Sequence, residues 1–149
     1  MTATLGSFPQ SQVDTGTAGV AISGVIAVCR ASGDLIMPAQ RASGLLLPAL
    51  GVNVNNVTSG QEVQFVNRGP VTNSASGTFA SGFIGTRLYV GSGGLICNLS
   101  GFMGGSSSGA PSLSGDLIQR IGVAISGGVY ISPDMQLTSG LLALNGFTY

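Results

Sequence analysis

DLIQRIGVAISGGVYISPD, residues 116–134, carries the strongest β signal in the chain. From Leu117 to Ser126 apolar and other residues run in period two, the repeat of a pleated strand. Leu117, Gln119, Ile121, Val123 and Ile125 share one face; Ile118, Arg120, Gly122 and Ala124 share the other. Gly127-Gly128 then supplies a turn into Val129-Tyr130-Ile131, and Ser132-Pro133-Asp134 stops that second strand. The unit is a β-hairpin.

Working outward, the same grammar recurs. Arg87–Val90 and Leu95–Cys97 flank Gly91-Ser92-Gly93-Gly94, a second hairpin signal. Val52 and Val54 alternate with Asn53 and Asn55, and Val63 and Phe65 alternate with Glu62 and Gln64. Thr58-Ser59-Gly60 connects these two runs as a third hairpin, and Asn67 to Pro70 reads as the next turn. Ala18 to Cys29 is an apolar run with five β-branched residues, expected as a buried strand or bent strand pair. Leu35-Ile36-Met37 is a short strand ended by Pro38, and Ala39 to Ser43 suits one helical turn. Leu45 to Leu50, broken by Pro48, suits an edge or a bend. Residues 73–82 read as a loop, and residues 100–115 as a flexible Gly/Ser loop.

The 25 glycines are spread through the whole length, which suits turns and not helices, since an interior glycine costs a helix about 1 kcal/mol. Nine or ten short strands with turns every 8–12 residues predict an all-β fold. The expectation is a small β-barrel or a β-tulip-like sandwich. Residues 1–16 are polar and read as an extended N-terminal arm; residues 17–149 form a single β domain.

Charge narrows the function classes. Only 7% of the residues are charged, against about 25% in a typical soluble domain. The five arginines, Arg30, Arg41, Arg68, Arg87 and Arg120, are scattered, and the formal net charge is zero. Nucleic-acid binding needs clustered cations, so it is not expected. So few charges give little protection against association, which points to a surface that meets partners. No apolar stretch approaches the roughly 20 residues of a membrane span, and residues 1–12 lack the pattern of a signal peptide. No membrane partner is expected.

Reactive side chains are sparse. The chain has no histidine and no lysine, which removes imidazole bases, Ser-His-Asp triads and Schiff-base chemistry. Asp14, Asp34, Glu62, Asp116 and Asp134 are isolated and sit at turns or on polar strand faces. They form no calcium-loop pattern, and Cys29 and Cys97 lack the spacing of a zinc site. The cysteines read as two buried free thiols, with a bridge between them as the alternative. Neither catalysis nor a cofactor is expected.

Residues 111–134 also carry a resemblance. Ser114-Gly115-Asp116, Ile121-Gly122-Val123-Ala124 and Ile131-Ser132-Pro133-Asp134 resemble the closing strands of tailed-bacteriophage head-decoration (cement) and head-fibre proteins. Arg87 to Leu95 resembles the same group; together the two stretches cover roughly the C-terminal 50 residues, and the upstream part matches only in general character. It implies a virion protein, made in the host cytoplasm and bound outside the capsid shell, where it stabilises the joints between major capsid protein subunits. A homotrimer is implied as well.

Within that reading, Leu5, Phe8 and Pro9 in the arm, and Phe147 and Tyr149 near the other end, are the candidate partner-binding residues. Ile118 and Ala124 are candidates for the contact between copies. Two rival functions stand beside it. A head-fibre or tail component would be elongated. A small glycan hydrolase would bring Glu62 and one aspartate together in a cleft.

Overall fold

The structure, a computed structural model, describes residues 11–41, 45–72, 84–98, 101–102, 117–125 and 128–139. The all-β expectation holds. Among the described residues there are twelve strands: β1 Gln12–Ala18, β2 Ala27–Ala31, β3 Leu35–Pro38, β4 Gly51–Asn53, β5 Glu62–Thr72, β6 Arg87–Val90, β7 Ile96–Asn98, β8 Gly101–Phe102, β9 Leu117–Ile118, β10 Arg120–Ile125, β11 Gly128–Ile131 and β12 Thr138–Ser139. Ten join in one sheet in the order β1-β3-β2-β4-β5-β11-β10-β6-β7-β8, and β12 pairs with β9. Strand β1 also pairs with β5, so the pairings β1-β3-β2-β4-β5 return to their starting strand. The β1–β3 pair is parallel; the others in this circuit are antiparallel.

Three hairpins predicted from turn chemistry are present. Strands β10 and β11 pair through Ile125↔Gly128, β6 and β7 through Val90↔Ile96, and β4 and β5 through Asn53↔Phe65. Strand β5 is the hinge of the architecture. Its first part pairs with β1 and β4, and its last part, Gly69 to Thr72, pairs with β11. Gly69 stands at the change of partner with a φ of +113°, and a Cβ there would come within 2.7 Å of the Ser11 backbone. The turn expected over Asn67–Pro70 is therefore continuous strand. Its Gly and Pro mark a change of neighbours and not a reversal of the chain.

Two apolar clusters result. Ala18, Ile22, Val28, Ile36, Val57, Val63 and Phe65 form one, drawn mostly from the closed circuit. Ala27, Cys29, Val52, Val66, Val71, Leu88, Val90, Ile121, Ala124, Val129 and Ile131 belong to the larger one. Alternation along β2 and β5 feeds both: Val28 against Ala27 and Cys29, and Val63 and Phe65 against Val66. That is why Ala27-Val28-Cys29 is solidly apolar, being buried on both faces.

Several expectations are corrected. Residues 12–16, assigned to the arm, belong to β1, because their polar side chains stand outward while their backbone pairs with β5. The Ala18–Cys29 run is not one strand; Gly19 to Ile26 connects β1 to β2, touching the sheet at the Ile22↔Val57 bridge. Ala39 and Gln40 are not helical. Beyond Val52 the Val/Asn alternation fails: Asn53 is 1% exposed while Val54 is exposed. The Asn53 amide explains this, accepting from Ile26 N–H at 2.7 Å and donating to the Asn55 carbonyl at 3.1 Å. Ile118 and Ala124 lie in the chain's own interior, 5% and 1% exposed, so neither is available to a second copy.

The faces of the Leu117–Ile125 run also differ from simple alternation. The strand breaks at Gln119, and the β10–β6 register shifts between Arg120 and Gly122. The extra residue there sends both Ile121 and Ala124, three apart, into the larger core.

Both cysteines are free buried thiols. Burial pushes Cys29 up to about 11 and Cys97 up to about 12, with Arg41 pulling Cys97 slightly down. A neutral thiol is thus favoured in the folded chain. Its contribution to stability is present at neutral pH and is lost as pH rises from the unfolded value near 9 through the folded ones. A thiol-specific reagent at pH 8 is expected to modify neither cysteine in the native protein and both in urea. Rapid native labelling at either position would contradict this burial.

Candidate functional site

Between β1, β5 and the chain following β11 lies a cleft of about 330 Å³. Gln12 and Asp14 of β1, Phe65, Asn67 and Arg68 of β5, Leu50, Pro133 and Met135 line it. Its origin is a bulge. Gln12 faces Arg68 and Val13 faces Val66, so Asn67 has no opposite number on β1. An extra residue kinks a strand and redirects side chains, and here Asn67 and Arg68, adjacent in sequence, both reach the cleft.

The floor is apolar. Phe65 is 1% exposed and packs in the smaller core beside Leu50, while Pro133 and the exposed Met135 add apolar surface at the other wall. The rest is polar. The Asn67 Oδ1 is withdrawn from solvent and accepts no hydrogen bond. Asp14 Oδ1 accepts the Thr15 N–H at 2.8 Å, and its other oxygen stands 3.9 Å from an Arg30 nitrogen. Arg30 also donates to Asp34 Oδ1 at 3.2 Å and to the Thr15 carbonyl at 3.2 Å, tying β1 to the β2–β3 turn. Among the described residues, the side chains of Gln12 and Arg68 make no hydrogen bond or ion pair.

No family model, curated protein or solved structure matches this chain.

The candidate partner-binding residues Leu5, Phe8, Pro9, Phe147 and Tyr149 lie outside the described residues. So does Asp116. Of the described carboxylates, Asp14 lines the cleft, whereas Glu62 is exposed opposite Thr17 and does not. The pair that a glycan hydrolase would need does not converge here. Among the described residues no three acidic or thiol side chains gather as a metal site would require, and no helix is long and apolar enough to cross a membrane.

Sequence reading missed the cleft. Gln12 and Asp14 were assigned to an arm and Asn67 and Arg68 to a turn, and both assignments hid a long-range pairing. The available signal was the period-two continuation Val63, Phe65, Asn67.

Proposed function

We propose that this chain is a structural protein of a tailed-bacteriophage virion, a decoration or cement protein that binds the outside of the capsid shell and stabilises it. What supports the reading is the place of the resembling motif in the fold. Ile121-Gly122-Val123-Ala124 and Ile131-Ser132-Pro133-Asp134 lie along the hairpin of β10 and β11, which joins β5 to β6 and supplies Ile121, Ala124, Val129 and Ile131 to the larger core. The motif is thus the centre of the body and not an appendage.

The anchor in this reading is the segment before β1. It leads into a strand fastened by paired residues along β5 and by the Ser11 hydroxyl, which donates to the Pro70 carbonyl at 2.6 Å. Tension on residues 1–10 therefore passes directly into the sheet.

The test is co-sedimentation with purified expanded shells lacking the protein, together with imaging and a mass measurement for the trimer. Saturable binding at regular lattice positions is expected. Removing residues 1–10, which spares β1, is expected to weaken binding at least about tenfold with the melting temperature nearly unchanged. Protein found on tails and never on shells would overturn the reading in favour of the fibre or tail component.

A further inference from the structure

The cleft beside β1 has the construction of a ligand site that shell binding does not require. We propose that it binds a sugar, holding a pyranose ring by adjacent hydroxyl groups. This inference is independent of the cement reading.

Three features carry it. The first is the unspent hydrogen-bonding capacity. Gln12, Asn67 and Arg68 line the cleft with planar, two-pronged groups, which suit neighbouring hydroxyls that each donate and accept, whereas the Asp14 carboxylate beside them is already engaged by the Thr15 N–H and Arg30. The Asn67 acceptor has no partner, and an amide left so is costly unless a donor reaches it. Arg68, with no described partner, supplies donors for hydroxyl oxygens.

The second feature is the mixture. Pro133 and the exposed Met135 offer apolar surface for the C–H side of a ring, above a base formed by Leu50 and the buried Phe65, while polar groups line the rest. The volume of about 330 Å³ is at the small end of the range of roughly 300–1,000 Å³ for ligand pockets, which fits a compact ligand. Asp14 and Arg68 give the lining one charge of each sign, so it carries no net charge to select an ionic ligand.

The third feature bears on the obvious competitor, an extended peptide. A peptide that adds to a sheet needs a free edge. Strand β5 offers none at Phe65 and Val66, being paired there by β1 and by β4. The outer side of β1 is occupied at Thr15 by the Arg30 guanidinium and at Thr17 and Ala18 by β3. The cleft itself is lined by side chains, and these read the ligand.

The experiment uses the full chain and a panel of maltose, lactose, chitobiose and digalacturonic acid, followed by the methyl signal of Met135 and by backbone amide shifts. A saturable shift centred on Gln12, Asn67, Arg68 and Met135 is expected with at least one neutral disaccharide. Arg68→Ala and Gln12→Ala, both at exposed positions, are expected to weaken that binding about tenfold or more without changing the melting temperature. The same variants should still bind shells. Absence of saturable binding across the panel overturns the proposal, as does sugar binding that ignores both substitutions. Shifts at these residues caused only by a peptide of the shell protein would also overturn it.

Discussion

Replacing Gln119 by leucine is expected to lower the stability of the chain by about 3–5 kcal/mol, since it strands two buried backbone groups at about 1–3 kcal/mol each. Gln119 is fully buried. Its Oε1 accepts the Ala49 N–H at 2.6 Å and its Nε2 donates to the Ala49 carbonyl at 2.9 Å. The side chain thus acts as a strand partner for Ala49, fixing Leu47 and Ala49 against the larger core. Its backbone carbonyl meanwhile accepts the Val90 N–H at 3.0 Å. Leucine has nearly the same bulk, so the loss reports the hydrogen bonds and not a cavity. Against a total stability of about 5–15 kcal/mol, that is a large fraction of what holds the chain folded. Urea unfolding measures it, and a loss under about 1 kcal/mol would mean that Ala49 finds other partners.

Glutamate at the same position separates charge from shape. A carboxylate has no donor for the Ala49 carbonyl and is not solvated there, so burial raises its folded pKa above the unfolded value near 4.3. The protonated acid regains an O–H donor. The stability of Gln119→Glu is therefore present below pH 4 and is lost as pH rises through the folded pKa. The wild type lacks that slope at this position. Parallel pH profiles for the two proteins would falsify the assignment of both bonds to the side chain.

Gln119 also shows where the sequence is legible and where it is not. Local signals were sound: glycine-rich turns placed the β6–β7 and β10–β11 hairpins, and period two placed Val63 and Phe65 in a core. Those features need only neighbours in the chain. What pairing alternation cannot reveal is a bulge, because one extra residue reverses every face beyond it. That displaced the faces of Leu117–Ile125 and made Asn67 look like a turn. Buried amides are the second blind spot. Asn53 reads as a polar position facing away from Val52, and Gln119 as one amide on the face of Leu117, Ile121, Val123 and Ile125; each is enclosed, because a distant backbone segment takes up its hydrogen bonds. The cleft combines both difficulties, being formed by a bulge and by a β1–β5 pairing some 50 residues apart in sequence.

Gly122→Ala and Gly51→Ala are each expected to cost about 3 kcal/mol or more, the upper range for overpacking, because neither neighbourhood can yield. A Cβ on Gly122 would collide with the carbonyl oxygen of Tyr130, and one on Gly51 with the carbonyl oxygen of Val66. Both obstacles are backbone atoms in strands held by their own ladders, β11 between β10 and β5, and β5 between β4 and β1. A side chain in the way could change rotamer; a paired carbonyl can move only if its strand leaves the sheet. Gly60→Ala is the control. A Cβ there meets nothing within 4 Å, but its φ of +86° is left-handed, so alanine should cost about 1–2 kcal/mol through backbone conformation alone. Urea midpoints of the three variants, at unchanged m-values, order the two mechanisms. If Gly60→Ala loses as much as the others, crowding is not what requires glycine at Gly122. If the predicted order holds, the glycine in Ile121-Gly122-Val123-Ala124 is a packing requirement of the β10–β11 hairpin. The motif then identifies a way of packing two strands closely, and any role at a shell surface falls to residues outside it.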